Sequence, residues 1–115
     1  DGDTKKDADY IADKVSGLRI FDDSEGVMNL SVSDIGGGIL SVSQFTLLAD
    51  ARKGKRPSYS KAARPEAAKE LYDYFNTKIE EKGITVGKGI FQAEMLVKIY
   101  NDGPVSSLLD SKKTF

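Results

Sequence analysis

The sequence contains neither cysteine nor histidine, and each absence excludes a class of chemistry. Without cysteine the chain has no disulfide, no thiolate nucleophile and no cysteine-ligated zinc, which favours a cytoplasmic location. Without histidine it lacks the usual base that activates a serine or threonine hydroxyl. Catalysis by these residues would therefore rely on carboxylates, lysine, tyrosine, main-chain groups or the substrate itself.

Long hydrophobic runs are also missing from the chain. No apolar stretch approaches the roughly 18 residues that a membrane-spanning helix needs, so we expect no membrane association. Hydrophobic residues make up 39% of the chain and charged residues 30%, which is typical of a soluble globular protein. The length of 115 residues suits one domain with a modest core and is too short for two.

Positive charge is concentrated in one segment of the chain. Residues 50–64, with the sequence DARKGKRPSYSKAAR, carry a net charge of +5, whereas the whole chain carries -1. A basic cluster of this kind attracts phosphate groups, while a solvated surface loop is the simpler alternative. Tyr59 in this segment either stacks on a nucleic-acid base or packs on the domain. The basic residues of the segment are Arg52, Lys53, Lys55, Arg56, Lys61 and Arg64.

Two segments have the apolar spacing of amphipathic helices. Residues 4–16 begin with Thr4 and Asp7, whose spacing resembles a capping box with aspartate in place of glutamate. Residues 65–82 begin with Pro65, and proline suits the first position of a helix. We therefore predict two helices, each with one buried face. The predicted buried residues are Ala8, Ile11, Ala12 and Val15 in the first helix, and Ala68, Leu71, Tyr72, Phe75 and Ile79 in the second.

Five shorter segments have the composition of β-strands. The strongest is ILSVSQFTLLA at 39–49, which carries apolar residues on both faces, as a central strand does. FQAEMLVKIY at 91–100 alternates between apolar and polar residues. The other three segments are 18–21, 27–32 and 105–109. These patterns predict a single α+β domain over residues 1–115, in which two helices pack on a β-rich sheet or open barrel.

Hydroxyl side chains lie near the end of the strongest predicted strand, in SQFTL at 43–47. Such hydroxyls usually satisfy local hydrogen bonds, and neither Ser43 nor Thr46 has a visible base to activate it. An exposed strand end can instead present main-chain N–H groups to a developing oxyanion, which needs no special side chain. The residues alone leave both possibilities open.

Turn-forming residues dominate NDGPVS at 101–106. A hairpin corner is the simplest interpretation, because glycine permits unusual dihedral angles and proline fixes φ and removes a donor. A turn of this kind also projects carbonyl oxygens in a rigid array.

The carboxylates of the chain are scattered among its turns and strands. No pair has the spacing of a metal site or of an acid–base dyad, so we predict neither a metal nor a cofactor. The carboxylates considered are Asp50, Glu94, Asp102 and Asp110.

Taken together, these segments resemble the D-aminoacyl-tRNA deacylase family, also called D-tyrosyl-tRNA deacylases. SQFTL matches the first signature of that family, and NDGPVS matches the second, with Ser106 where the family usually has threonine. Gln92 occupies a position that is often glycine in the family and belongs to the rim of the pocket. Further blocks align in the same order over nearly the whole chain, namely LRIF at 18–21, GVMNLSV at 26–32, ADARKGKRPSYSKAARPE at 49–66 and FQAEMLVKIYNDGPV at 91–105.

The first residues of the chain, DGDT at 1–4, resemble a point inside the family sequence. The resemblance therefore implies two further strands that precede this point in the family and are not among the residues of this chain.

The resemblance implies a hydrolase that cleaves the ester between a D-amino acid and the terminal adenosine of tRNA, as a proofreading step in translation. It also implies a homodimer. The catalytic positions would be Ser43, Gln44, Phe45 and Thr46, with main-chain N–H groups near Phe45 and Thr46 stabilising the oxyanion. A ribose hydroxyl of the substrate would assist the attacking water.

Substrate selection would come from the second signature. The resemblance implies that Gly103 and Pro104 of the partner subunit enter the pocket through a cis peptide bond, and that their carbonyl groups reject L-aminoacyl substrates. Asn101 and Met95 would line the same pocket. The tRNA phosphates would be met by Arg52, Lys53, Lys55 and Arg56.

Two other functions are compatible with the residues. A general esterase would use Thr46 or Ser43, and the absence of histidine counts against it unless the preceding strands implied by the resemblance supply one. A non-catalytic tRNA-binding module would use only the basic segment.

Overall fold

The computed structural model describes all 115 residues and contains two helices and four short strands. Helix α1 covers Lys5–Gly17 and helix α2 covers Pro65–Glu81. Strands β1 and β2 are Phe21–Asp22 and Met28–Leu30. Strands β3 and β4 are Gly38–Ser41 and Thr85–Lys88, and a short 3₁₀ helix covers Phe45–Leu48. The predicted α+β class, with two helices in a single domain, is confirmed.

Both helices begin where the sequence predicts. The main-chain N–H of Thr4 donates to Asp7 Oδ2 at 2.8 Å, which satisfies one of the donors that a helix start leaves unpaired. Pro65 occupies the first turn of α2. The two helices pack against each other, and the Tyr74 hydroxyl donates to Asp9 Oδ1 at 2.8 Å across their interface.

The strands form two separate two-stranded sheets. Strands β1 and β2 are antiparallel, and a turn connects them in which Asp23 Oδ1 accepts from the N–H groups of Glu25 and Val27. Strands β3 and β4 are parallel, with Gly38 opposite Thr85 and Ser41 opposite Lys88. Helix α2 lies in the connection from β3 to β4, as parallel strands require a crossover.

The buried core is small and lies between the helices and the sheets. Its buried hydrophobic residues are Ala12, Val32, Ile79 and Ile84. Many large apolar side chains remain exposed, and they are concentrated in the 3₁₀ helix and in residues 90–109. None of the helices is long and apolar enough to cross a bilayer.

Several strand predictions are wrong in their extent. The segment 39–49 is a strand only up to Ser41, because β4 ends opposite that residue and no ladder partner continues beyond it. Residues 91–100 and 105–109 are not strands, because no segment of the chain pairs with them, and Gln92 has a positive φ of 58°. Strand β4 was not predicted, because Gly87 and the glycines on either side of the strand resemble a turn. Of the predicted sheet or open barrel, the structure has the sheet form, as two small two-stranded sheets.

Candidate functional site

The SQFTL segment begins at the carboxyl ends of the parallel strands β3 and β4. The carbonyl oxygen of Ser41, the last residue of β3, accepts from the main-chain N–H of Gly89 at 2.8 Å and from the Tyr72 hydroxyl at 2.9 Å. A carbonyl oxygen has two lone pairs, so the Ser41 oxygen already accepts as many hydrogen bonds as it can. The next two residues leave the sheet, and Ser43 is half-buried. The candidate segment is thus attached to a well-ordered strand end.

The remaining candidate catalytic residues form the start of the 3₁₀ helix. Gln44, Phe45 and Thr46 are all exposed, and the Gln44 side-chain amide donates to Thr46 Oγ1. The main-chain N–H groups of Phe45 and Thr46 lie in the first turn, where no carbonyl of the helix can accept from them. Neither N–H donates a hydrogen bond to any other group of the chain. The segment therefore presents two adjacent, unpaired main-chain donors.

The side chain of Phe45 connects this segment with the basic segment 50–64. Its ring meets the Tyr59 ring edge-on, with centroids 5.1 Å apart and an angle of 65° between the ring planes. Of the two roles considered for Tyr59, packing on the domain is the one that this contact supports.

The basic residues of 51–57 lie in a loop that is closed by its two ends. Asp50 and Ser58 exchange main-chain hydrogen bonds of 2.8 and 2.9 Å, and Gly54 turns the chain with a φ of +69°. Arg52 folds back on Asp50, with Nε 2.8 Å from Oδ1. Hydrogen bonds from the Arg52 side chain and main chain lower the pKa of Asp50 to about 2. The guanidinium is consequently already paired with a carboxylate.

The other cations of the loop are not paired in this way. Lys53, Lys55 and Arg56 are exposed and form no ion pair within the chain. Of the four predicted tRNA contacts, these three are therefore available to an anionic partner, whereas Arg52 would first have to release Asp50.

Met95 is the predicted substrate residue that the chain brings close to the end of β3. Its sulfur accepts from the main-chain N–H of Ile90 at 3.4 Å. A Cβ atom on Gly89 would lie 3.1 Å from the same sulfur, so Met95 packs closely over this glycine. The ring of Phe91 lies 6.1 Å from that of Tyr72. These contacts place Met95 beside the strand ends from which the SQFTL segment departs.

The second signature forms an exposed turn. Asn101, Gly103 and Pro104 are all exposed, and Gly103 has a φ of +111°, which favours glycine. The Gly103–Pro104 bond is trans, so the prediction of a cis bond is wrong for this structure. The trans form is intrinsically favoured by about 0.5–1 kcal/mol. The space beside Gly103 is open, because a Cβ on this residue would meet only the Val105 nitrogen, at 4.0 Å.

No hydrogen bond joins this turn to residues 43–46 of the same chain. Of the predicted substrate residues, Met95 lies beside the strand ends that lead into the candidate segment, whereas Asn101, Gly103 and Pro104 form no hydrogen bond with that segment.

Sequence reasoning missed the role of one residue near the site. The helical spacing predicts only that Tyr72 lies on the buried face of α2, yet its hydroxyl donates a hydrogen bond to the last carbonyl of β3. The available signal was the choice of tyrosine over phenylalanine at a buried position, since a buried tyrosine hydroxyl usually has a partner.

A solved structure resembles this chain in its fold. The protein named c-Myc DNA Unwinding Element Binding Protein superposes with a TM-score of 0.81 at 36% identity, over 90% of this chain and 71% of that one. The α+β fold is thus one already known in a solved protein.

Comparison of sequences then shows the family. Residues 1–110 match the family model described as D-Tyr-tRNA(Tyr) deacylase. The protein named D-aminoacyl-tRNA deacylase of Koribacter versatilis is 59% identical over 98% of this chain and 76% of its own length. The proteins of the same name from Clostridioides difficile and Thermotoga petrophila are each 57% identical to this chain, again over 98% of this chain and 76% of their own length. The chain belongs to the D-Tyr-tRNA(Tyr) deacylase family.

Proposed function

We propose that this protein hydrolyses the ester bond of D-aminoacyl-tRNA and releases a free D-amino acid and tRNA. The observation that carries the proposal is the 59% identity, over 98% of the chain, to a relative named for this reaction. The reaction removes D-amino acids before they reach the ribosome, so it serves as chiral proofreading. An aminoacyl-tRNA substrate implies that the protein acts in the cytoplasm.

The chemistry that we propose uses main-chain groups in place of a protein nucleophile. The chain has no histidine or cysteine, and the hydroxyls of Ser43 and Thr46 have no base beside them. The unpaired N–H groups of Phe45 and Thr46 would donate to the oxyanion that forms when water attacks the ester carbonyl. A ribose hydroxyl of the terminal adenosine would help to orient or deprotonate that water.

Chiral selection is proposed to come from the turn that contains Gly103 and Pro104. In its own chain this turn is exposed and unconnected to residues 43–46, so it is available to a second subunit. We propose a homodimer in which the partner's Gly103 and the partner's Pro104 present their carbonyl groups to the substrate, with Asn101 supporting the turn and Met95 lining the pocket. A rigid main-chain wall rejects the L-enantiomer while it tolerates different D side chains.

The basic loop is proposed to bind the phosphates of the tRNA. Lys53, Lys55 and Arg56 are the available cations, and Arg52 would join them by exchanging Asp50 for a phosphate. The loop and the candidate catalytic segment are linked through the Phe45–Tyr59 contact, so a tRNA held by the loop would lie near residues 43–46.

The proposal is tested with full-length protein and matched D-Tyr-tRNA and L-Tyr-tRNA. We expect fast release of D-tyrosine and little release of L-tyrosine. Turnover of simple esters without tRNA would favour the esterase alternative, and salt-sensitive tRNA binding without hydrolysis would favour a binding module.

The proposed role of the turn has its own test in the same assay. Pro104→Ala should lower the ratio of D to L hydrolysis. The matched control, Pro57→Ala in the basic loop, should change both rates alike. An unchanged ratio in Pro104→Ala would remove this turn from the selection of chirality.

A further inference from the structure

We infer that Tyr72 is a positioning residue for the candidate catalytic segment. The inference deepens the proposed function and rests on it, since it assumes that residues 43–46 carry the reaction. Tyr72 touches none of these four residues through its hydroxyl, so it would act only through the strand ends that precede them.

The Tyr72 hydroxyl lies between the ends of two strands. It donates to the carbonyl oxygen of Ser41 at 2.9 Å and lies 3.4 Å from the carbonyl oxygen of Gly89. The N–H of Gly89 donates in turn to the carbonyl of Ser41 at 2.8 Å. Ser41 is only 8% exposed, so water does not readily replace the hydroxyl there. One phenol group thus fixes the last peptide of β3 and faces the first peptide beyond β4.

Each of these two peptides leads directly into a part of the candidate site. The Ser41 carbonyl belongs to the peptide that starts the departure of the chain toward Ser43 and the 3₁₀ helix. Gly89 is the residue against which Met95 packs. The Tyr72 ring also lies beside the ring of Phe91. The hydroxyl therefore sets the orientation of the peptides from which both the proposed oxyanion donors and a proposed substrate contact extend.

Positioning of this kind matters most when the reacting groups belong to the main chain. A side chain can correct a small displacement by changing its rotamer, whereas a main-chain N–H moves with its peptide plane. Misplacement of catalytic groups by about 1 Å can lower a rate by about 100-fold. The loss of the single Tyr72 hydroxyl at the strand end should cause a smaller displacement, and we expect kcat to fall about 10-fold.

The chain offers a matched control two residues away on the same helix. Tyr74 is also half-buried, and its hydroxyl also makes one 2.8 Å hydrogen bond, but to Asp9 of α1 and not to the strand ends. Tyr72→Phe and Tyr74→Phe each remove one hydroxyl and keep the ring. A purely structural role of Tyr72 predicts similar behaviour of the two variants.

The experiment compares wild-type, Tyr72→Phe and Tyr74→Phe full-length protein on D-Tyr-tRNA. For Tyr72→Phe we expect kcat to fall about 10-fold with KM within about twofold, and for Tyr74→Phe we expect both to stay near wild-type. The amide resonances of Phe45, Thr46 and Gly89, measured by NMR, should shift in Tyr72→Phe and stay in place in Tyr74→Phe.

The outcomes separate this inference from the function on which it rests. Equal kcat values in the two variants, or unmoved resonances of Phe45 and Thr46 in Tyr72→Phe, would overturn the positioning role. A wild-type protein that hydrolyses no D-Tyr-tRNA would overturn the proposed function, whatever the resonances show.

Discussion

Thr46→Ala gives the most direct test of a site without a protein nucleophile. The Thr46 side chain is exposed, and its one hydrogen bond is that which its oxygen accepts from the Gln44 amide. Loss of a neutral hydrogen bond costs about 0.5–1.5 kcal/mol, which corresponds to a rate change of at most about 10-fold. Removal of a true nucleophile typically lowers kcat by about 10⁴-fold or more. The two mechanisms therefore differ by roughly three orders of magnitude.

The assay for this variant is single-turnover release of D-tyrosine from D-Tyr-tRNA, with enzyme in excess so that chemistry is observed directly. Thr77→Ala is the matched control, because the Thr77 hydroxyl is also exposed and makes one hydrogen bond, to the Asp73 carbonyl at 3.1 Å in α2. We expect Thr46→Ala to retain at least about a tenth of the wild-type rate and Thr77→Ala to retain nearly all of it.

A loss of more than about 1,000-fold in Thr46→Ala, with an unchanged melting temperature, would refute this reasoning. Thr46 would then act as the nucleophile, and the base that activates it would not be a histidine of these 115 residues, which contain none.

Three further predictions concern the loop, the helix start and the core. Replacing Lys53 and Lys55 together by alanine should reduce the slope of log affinity for tRNA against log salt by about 2, whereas Lys69→Ala on α2 should leave it unchanged; filter binding over a salt series measures this. The N–H of Thr4 and the hydroxyl of Ser111 hold the pKa of Asp7 at about 2, below its unfolded value, so its contribution to stability is present above about pH 4 and is lost as the pH falls toward 2. The melting temperature of the wild-type protein should accordingly fall more steeply over that range than that of Asp7→Asn. Ile79 has 0% exposure, and Ile79→Ala removes three buried carbon atoms, so urea unfolding should show a loss of about 3 kcal/mol, against less than about 0.5 kcal/mol for the exposed Glu70→Ala.

The sequence predicts the helices well because their determinants are local. Each helix start is set by residues within one helical turn of it. These residues are the capping pair Thr4 and Asp7 in α1 and Pro65 in α2. The buried positions Ala12 and Ile79 follow from a spacing that any helix imposes. No information from distant parts of the chain is needed for these predictions.

The strands depend on partners, and this is where sequence reasoning fails. The alternation in 91–100 suits a strand, but a strand forms only when a neighbour accepts its hydrogen bonds, and the chain supplies none there. Conversely, β4 forms despite its glycine because β3 lies beside it. Pairing is a property of the whole fold, which a local pattern does not record.

In the candidate site, too, local features can be predicted from the sequence, whereas contacts between distant residues cannot. The basic loop and the SQFTL segment are each a continuous stretch of sequence, so a local pattern is enough to propose their residues. The contact of Tyr72 with Ser41 spans 31 positions and involves a carbonyl that every residue type possesses. The isomer of the Gly103–Pro104 bond likewise depends on what surrounds the turn rather than on its residues.

The unpaired N–H groups of Phe45 and Thr46 have a consequence for how such a site changes during evolution. They belong to the backbone, so every amino acid except proline would supply them at these two positions. Alanine scanning, the usual search for catalytic residues, would therefore pass over the proposed oxyanion donors without detecting them. Thr46→Pro deletes the donor itself, and its comparison with Thr46→Ala would separate the peptide group from the side chain. Sequence drift at these positions would alter the side chains and leave the proposed chemistry in place.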